Sequence, residues 1–476
     1  MYNVQRLMRH PMLLFLLCAV GFTWAVQHDP FFWDTIQLAS KHAHFFYGNN
    51  GAWEILPPDI DSGHPPVLGY YLAALWHIFG KNLATGHWGM LPFLWAIIWL
   101  LYRLGKRLGG TIWAWWLLPL VLLDPVLLGQ SAMVSPDTML AAFFLCAVEG
   151  ALGRNKLLIT IGIAGLCAIS MRGMMCTGAL FIALLLYDRK ALQHNLLAAF
   201  LPGFSIAAAF LLWHWQAAGW IGYHAGSPWA PAFSAAGFTE MMRNVAILGW
   251  RWLDFGRIAE WIAVAVLLWY GKKHFWDNRI QSRPFDSMLF LLLVCHFVLL
   301  SISAIRYHNL SAHRYFLPVF LLFHLFVFQW VVKTLTLRPI FKKGILTALS
   351  VSLALGNFQV YPHGISMDWD STLAHLPYHA VRADAVVFLQ QRQIPLSEVG
   401  TAFPGLNTGE NIQLDGDQAT FAAIDTHSNA YIFISNVFND VSKEQRLDYR
   451  RNWRLIWHQE RGPVWGEIYA KSDTPR

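Results

Sequence analysis

The sequence predicts a polytopic α-helical membrane protein with a small α/β soluble domain at its C-terminal end. Of its 476 residues, 56% are hydrophobic and only 13% are charged, whereas soluble domains carry about 25% charged residues. Long apolar runs recur over residues 11–360 and then stop. The 24 tryptophans are typical of a protein with two membrane interfaces, where indole rings settle. We therefore expect a membrane domain over 1–360 and an accessory α/β domain over 361–476.

A membrane-spanning helix needs about 20 apolar residues. The apolar runs predict about eleven transmembrane helices, over residues 11–27, 89–103, 112–128, 138–152, 157–171, 174–187, 195–216, 258–271, 287–304, 315–333 and 344–360. The first run follows Arg6 and Arg9, and an apolar run after basic residues also occurs in signal peptides. Cys18-Ala19-Val20-Gly21 is a poor cleavage site, however, and many more runs follow, so we expect this helix to be retained.

Lysine and arginine are concentrated in alternate connections, and basic connections face the cytoplasm. The basic connections contain Arg103, Lys106, Arg107, Arg154, Lys156, Arg189, Lys190, Lys272, Lys273, Lys342 and Lys343. This pattern predicts a cytoplasmic N-terminus, with the 28–88 loop and the C-terminal domain outside. It also accounts for the net charge of +7 without any nucleic-acid partner. The strong charge bias, and a polar tail that contains none of the five cysteines, suit a bacterial inner membrane.

The 28–88 loop contains a short apolar segment over residues 65–79, which begins with two prolines. The segment is too short to span comfortably, and proline is tolerated in a first helical turn. It is typical of a helix that lies in the membrane interface. The alternative, a second span, would invert every later helix and would place Lys272 and Lys342 outside, against the charge bias.

The tail has the pattern of an α/β fold. A helix is expected over residues 379–392, and Tyr431-Ile432-Phe433-Ile434 has the composition of a buried strand. Ser442 precedes a short charged helix, and the stretch from Trp453 to Tyr469 predicts a hairpin around Arg461-Gly462-Pro463. The tail shows no catalytic constellation, so we expect an accessory role for it.

Several short motifs follow one another in the first two thirds of the chain. They are Asp34-Thr35, His64-Pro65-Pro66-Val67-Leu68-Gly69-Tyr70, Phe79-Gly80, Ser135-Pro136-Asp137, Ser170-Met171-Arg172-Gly173 and His313-Arg314-Tyr315-Phe316-Leu317-Pro318. In order and topology, the set resembles the GT-C membrane glycosyltransferases, in particular the branch of protein O-mannosyltransferases and lipid A aminoarabinose transferases. The resemblance covers about residues 1–330. Thr35 departs from it, because that family has a second acid there.

The resemblance implies transfer of a hexosyl or pentosyl unit from a polyprenyl-phosphate donor to a hydroxyl acceptor on the outer face of the membrane. The acceptor would be a protein, a lipid or a glycan, and the reaction would invert the anomeric centre. Asp34 is the expected base, because a carboxylate beside the membrane can accept the proton of the hydroxyl. A structural alternative for Asp34 is an N-cap of a helix over residues 35–46.

Arg172, Arg314 and His64 are the expected ligands of the donor phosphate. Guanidinium groups bind phosphate oxygens through two parallel hydrogen bonds and stay charged at any relevant pH. The structural alternatives are arginines that reach to lipid headgroups and a histidine that is merely polar at the interface.

Asp137, Tyr70 and Tyr71 are expected to line the acceptor or sugar pocket, although an acid in a first helical turn and interfacial tyrosines also occur without function. We expect no required cofactor, and a divalent metal is possible but not indicated. Asp59 and Asp61 give only a weak indication of a divalent metal site near His64.

A transporter or flippase is the main alternative function. Transporters place charged residues at the membrane midplane and often have inverted repeats. In this sequence the ionisable residues gather near the outer ends of the predicted spans, and no repeat is visible. Glu149 is the exception, near an inner end. A polymerase that uses a diphosphate donor and a non-catalytic scaffold are further alternatives.

Overall fold

The computed structural model describes residues 11–187, 196–226, 230–275, 287–308, 311–334, 337–361 and 368–471. Helices occupy most of the chain up to residue 356, and a five-stranded sheet with short helices follows residue 368. The helices of the first part are α1 (Pro11–Val26), α2 (His42–Gly48), α3 (Val67–Phe79), α4 (Leu83–Gly109), α5 (Thr111–Leu122), α6 (Pro125–Ser131), α7 (Pro136–Gly153), α8 (Lys156–Ile169), α9 (Met171–Tyr187), α10 (Leu201–Ala218), α11 (Phe238–Arg251), α12 (Ile258–Phe275), α13 (Ser287–Arg306), α14 (Leu317–Lys333) and α15 (Pro339–Gly356).

Every apolar run that predicted a span contains a helix, but the helices differ in length. Among the described residues, six helices are long and apolar enough to cross a membrane, and a seventh candidate is the bent pair α5–α6. Other predicted spans correspond to shorter apolar helices, such as α1, α8 and α9. The chain is therefore an integral membrane protein, and the count of about eleven spans stays a prediction.

The predicted span over residues 112–128 is divided into two helices, which together remain a candidate span. Helix α5 ends at Leu122, α6 begins at Pro125, and the two axes differ by 71°. Asp124 takes extended angles (φ −58°, ψ 126°) because the following proline disfavours a helical conformation before it. Its carboxylate accepts hydrogen bonds from the amides of Val126 and Leu127 and so begins the new helix.

The 28–88 loop folds into short helices. A π-helical segment (Ile36–Lys41) leads directly into α2, and α3 matches the segment that was expected to lie in the interface. Pro65 and Pro66 precede α3 rather than forming its first turn, since the helix begins at Val67. The backbone of Gly69 lies against His42, which brings α3 and α2 close together.

The C-terminal part is a mixed sheet with the order β2-β1-β3-β5-β4. Its strands are β1 (Val399–Thr401), β2 (Ala422–Ala423), β3 (Tyr431–Ser435), β4 (Trp453–Arg461) and β5 (Val464–Lys471), and its helices are α16 (Pro377–Gln391), α17 (Gly409–Gln413) and α18 (Lys443–Asn452). Strand β1 is parallel to β2 and β3, while β5 is antiparallel to β3 and β4. The predicted helix, buried strand, charged helix and hairpin of this region are confirmed. Ser442 caps α18 through the amide of Gln445.

The sheet domain and the first loop share one hydrophobic core. Phe32, Trp33 and Met133 pack in the same cluster as the core of the sheet domain. The ring of Phe32 stacks on His375 with 4.7 Å between centroids. The backbone of Gly129 approaches that of Thr372 so closely that a Cβ at residue 129 would lie 2.8 Å from the amide nitrogen. The C-terminal part thus packs against both α6 and the loop that carries Asp34.

Candidate active site

A cavity of about 90 Å³ lies where the first loop, the N-termini of α7 and α9, and the chain entering α14 meet. The titratable side chains that line it are Asp34, His42, His64, Asp137, Arg172, Arg314 and Tyr315. They include five of the residues that the sequence marked for chemistry. These five come from segments as far apart as residues 34 and 314, so only the fold brings them together.

Asp34 is held at the cavity by a tightly turned loop. Trp33 adopts a left-handed backbone conformation (φ 51°), which costs on the order of 1 kcal/mol for a bulky residue and persists only where packing enforces it. The hydroxyl of Thr35 donates to the carbonyl of Phe32 (2.7 Å) and accepts from its amide (2.9 Å). Thr35, which departs from the family pattern, therefore stabilises the turn of the loop through these two hydrogen bonds to the backbone. The carboxylate of Asp34 pairs with Arg314 and does not cap the helix.

Arg314 lies between two carboxylates. One of its terminal nitrogens contacts Asp34, and the other lies 2.7 Å from Asp370. The guanidinium carbon also lies 5.1 Å from the centre of the Tyr315 ring. The short 3₁₀ helix His313–Phe316 turns Arg314 toward the cavity just before α14 begins. Arg314 is only 8% exposed, so both of its ion pairs form with little competition from water.

Arg172 is the second guanidinium of the cavity. It lies 2.6 Å from Asp137, and its Nη1 also donates to the backbone carbonyl of Arg314 (2.6 Å). Its guanidinium carbon is 5.0 Å from the centre of the Tyr315 ring, so that both arginines flank one aromatic side chain. Asp137 is presented by the first turn of α7, where Ser135 caps the helix through the Asp137 amide. The Arg172 side chain is thus hydrogen-bonded to the backbone of Arg314.

His64 lies at the same cavity as a neutral side chain. Burial and the nearby Arg172 charge lower the pKa of His64 to about 4. The amide of Met171 donates to its Nδ1 over 3.3 Å. Because Nδ1 accepts in this contact, the ring proton belongs on Nε2, which is then a hydrogen-bond donor.

Asp370 is a site residue that the sequence reasoning missed. It comes from the C-terminal region, and its backbone carbonyl accepts from the side chain of Gln130 (2.8 Å). Burial raises the pKa of Asp370 to about 6, although the charge of Arg314 acts in the opposite direction. The available signal was Asp368-Trp369-Asp370, a pair of acids around a tryptophan at the start of the tail.

A second set of missed residues supports His313, the neighbour of Arg314. The two ring nitrogens of His313 lie 2.5 Å from Asp254 and 2.6 Å from Asp368. Asp368 also lies 2.8 Å from Arg251. Although burial opposes ionisation, Arg251 and His313 hold the pKa of Asp368 below its ordinary value. This network anchors the segment before α14 to the C-terminal region.

Four predicted residues lie elsewhere. Tyr70 is exposed and packs against Phe46 and Trp53, and the Tyr71 hydroxyl donates to the Gly89 carbonyl (2.9 Å). Neither tyrosine lines the cavity.

Asp61 is buried and lies 2.9 Å from His214, while it also accepts from the Gly63 amide (2.8 Å). Asp59 is exposed. Within the described residues, no group of three or more histidine, cysteine or acidic side chains is arranged to hold a metal ion.

The buried acids away from the cavity have basic partners. Glu149, the acid that most resembled a transporter residue, contacts Arg103 (3.0 Å) and Arg107 (2.8 Å). A further cluster deep among the helices joins Asp124 to Arg257 (2.6 Å) and to His324 (3.1 Å). These pairs compensate the cost of burying charge.

The chain combines a bundle of apolar helices with a small C-terminal sheet domain that packs against the first loop. The solved structure of ArnT from Cupriavidus metallidurans bound to undecaprenyl phosphate has this fold. It matches 98% of this chain and 99% of its own, with a TM-score of 0.54 and 13% sequence identity. The predicted GT-C fold is therefore confirmed. No family model and no curated protein matches the sequence.

Proposed function

We propose that this protein is an inverting glycosyltransferase that moves a sugar from a polyprenyl-phosphate donor to a hydroxyl acceptor on the outer face of the membrane. The observation that carries the proposal is the convergence of Asp34, Arg172 and Arg314 on one cavity. The ArnT structure supports a polyprenyl-phosphate donor, since that protein with the same fold is bound to undecaprenyl phosphate.

The ion pairs around the two arginines suggest how the donor would be received. The guanidinium of Arg172 faces Asp137, and that of Arg314 faces Asp34 and Asp370. A donor phosphate would form charge-assisted hydrogen bonds with the same guanidinium groups, and it would displace Asp34. Donor binding would therefore free the base at the moment when it is needed. The Nε2–H of His64 would supply a further, neutral donor to the phosphate.

The transfer step then requires one proton movement. The acceptor hydroxyl gives its proton to Asp34, and its oxygen attacks the anomeric carbon from the face opposite the phosphate. The bond between this carbon and the phosphate oxygen breaks, and the electron pair leaves with the polyprenyl phosphate. Arg172 and Arg314 stabilise the charge that develops on the leaving group. No covalent enzyme intermediate is needed.

The test is sugar transfer in membranes from a radiolabelled polyprenyl-phosphate hexose or pentose. We expect Asp34→Asn to lower the rate by about 10²–10⁴-fold, the usual contribution of general acid–base catalysis. The matched control is Glu54→Gln, an exposed acid of the same loop whose side chain accepts from Asn49 (3.2 Å). Equal rates for Asp34→Asn and wild type would refute the assignment of the base. No transfer by either protein, with uptake of a solute into vesicles, would favour a transporter.

A further inference from the structure

A second cavity lies in the C-terminal sheet domain and has no role in the proposed transfer. Its volume is about 320 Å³, which is at the lower end of the range of about 300–1,000 Å³ for small-molecule sites. Among the described residues, none lines both this cavity and the candidate active site. Helix α18 and strand β5 form its walls, together with Trp369. We call it the α18 cavity.

The α18 cavity is lined by cations. Lys443, Arg446 and Arg450 all contribute to its wall, and no acidic side chain does so among the described residues. The three positions are spaced three and four residues apart, so they share one face of α18. Like charges on one helix face repel each other. Arg450 is compensated by Glu467 at 2.9 Å, which leaves the cavity with an excess of positive charge.

Arg446 is the most informative of the three. It is only 7% exposed, and its Nη2 makes two long hydrogen bonds, to the carbonyls of Ser435 (3.3 Å) and Phe438 (3.4 Å). Its Nε is buried and has no hydrogen-bond partner. Burial lowers the pKa of Arg446 to about 10, so the group still carries its charge at neutral pH. A buried cation with an unpaired donor in a cavity wall can donate to an anionic ligand.

Aromatic surface accompanies the positive charge. The guanidinium carbons of Arg446 and Arg450 lie 5.1 Å and 5.7 Å from the ring of Trp465. The indole of Trp369 is fixed because its N–H donates to the carbonyl of Asn436 (3.1 Å). The indole of Trp369 in the cavity wall offers apolar contact to the C–H face of a sugar ring, while guanidinium groups bind phosphate or carboxylate. A bare phosphate would not use this indole.

We infer that the α18 cavity binds an anionic sugar, a saccharide unit that carries a phosphate or a carboxylate. The inference does not depend on the transfer reaction, because a binding measurement reports on it directly. Glucose 6-phosphate, glucuronate and glucose are suitable probes, and they differ in the presence and the kind of charge. Each is titrated calorimetrically into the purified full-length protein in detergent.

We expect glucose 6-phosphate or glucuronate to bind about tenfold or more tightly than glucose, because a hydrogen bond between charged groups contributes at least that factor. Whichever of the two binds more tightly identifies the anion. The double substitution Lys443→Ala and Arg450→Ala should weaken this binding about tenfold or more. The control is Arg451→Ala, which removes an exposed arginine of the same helix that does not line the cavity.

Arg172→Gln separates this site from the candidate active site, since it removes a cation there and should leave the measured binding intact. Arg446→Lys is a second test that retains the buried charge but removes the planar fork, and it should also weaken binding. Thermal unfolding of each variant verifies that it is folded. The inference is overturned if neither charged sugar binds, if glucose binds equally well, or if Arg172→Gln abolishes binding while the α18 variants retain it.

Discussion

Replacement of Asp370 by asparagine tests whether the Asp370 carboxylate competes with the donor phosphate for the guanidinium of Arg314. Asp370 lies 2.7 Å from Arg314, and both side chains are buried. In the proposed reaction, the donor phosphate has to compete with this carboxylate for the guanidinium. The Asp370→Asn side chain keeps an oxygen acceptor at the same place but loses the charge. The variant should therefore bind the donor phosphate more tightly than the wild type does.

The size of the effect follows from the type of contact. The Arg314–Asp370 contact is an ion pair at 2.7 Å, for which we take the about 1.5–3 kcal/mol of a contact to a charged group, and about half as much when one partner is neutral. The difference is about 0.8–1.5 kcal/mol. Because every 1.4 kcal/mol is a factor of ten, donor affinity should rise about fourfold to twelvefold.

Inhibition of transfer by undecaprenyl phosphate measures this affinity without the complication that KM includes the chemical step. The matched control is Asp384→Asn, which alters an arginine–aspartate pair of similar length (2.6 Å, to Arg461) on the surface of the sheet domain. The control should leave the inhibition constant unchanged. An inhibition constant for Asp370→Asn that is unchanged or higher, together with a collapse of kcat, would contradict the competition between carboxylate and phosphate. Asp370 would then act on the acceptor instead.

Two further predictions concern stability. Glu410→Gln should loosen the contact between the sheet domain and the first loop, because Glu410 pairs with Lys81 and lies 2.8 Å from His44. Hydrogen exchange should accelerate in α2 but not in β4 and β5, and equal acceleration everywhere would contradict this.

Burial lowers the pKa of three histidines outside the spans to about 4: His42, His64 and His375. Between about pH 6.5 and 4 the unfolded chain binds protons that the folded protein does not, so stability falls with the pH, by roughly 1 kcal/mol per histidine at pH 5.5. Burial also raises the pKa of Asp29 and Asp370 to about 6 and raises that of Asp440, and these acids act oppositely between their ordinary pKa and the raised one. Burial lowers the pKa of His379 as well, so four histidines act against three acids. Tm in detergent should drop from pH 7.5 to 5.0, and a rise would refute the reasoning.

The local structure was readable from the sequence because its causes are local. Apolar runs placed a helix at each expected position, and the Ser442 cap and the Gly462 turn marked elements of the tail. The break in the 112–128 segment was missed because the prediction followed the hydrophobicity of the whole segment. Leu123-Asp124-Pro125 was the signal for the break, since a proline has no amide hydrogen to donate to the preceding helix.

The composition of the candidate site was predictable only in part. The ordered motifs drew attention to Asp34, His64, Asp137, Arg172 and Arg314, and all five line one cavity. The contributions of Asp368 and Asp370 were missed because the tail resembled an accessory domain. Their role depends on contacts to the chain before α14 that no local pattern encodes. Tyr70 and Tyr71 follow a motif in sequence, but a helix directs them to other neighbours.

Charge balance explains how two arginines can lie together at such a site. A buried guanidinium such as that of Arg314 would cost several kcal/mol without partners, and the half-buried one of Arg172 would cost less. The three carboxylates of Asp34, Asp137 and Asp370 compensate them, and one of these is contributed by the C-terminal region. A donor phosphate would therefore replace one anion by another at cations that are already dehydrated and oriented. The exchange needs little reorganisation of the protein, whereas an open, hydrated pair of arginines would first have to lose its water. The C-terminal region thus supplies one of the two carboxylates that balance the charge of Arg314. Without Asp370, Asp34 would be the one remaining carboxylate paired with Arg314 among the described residues.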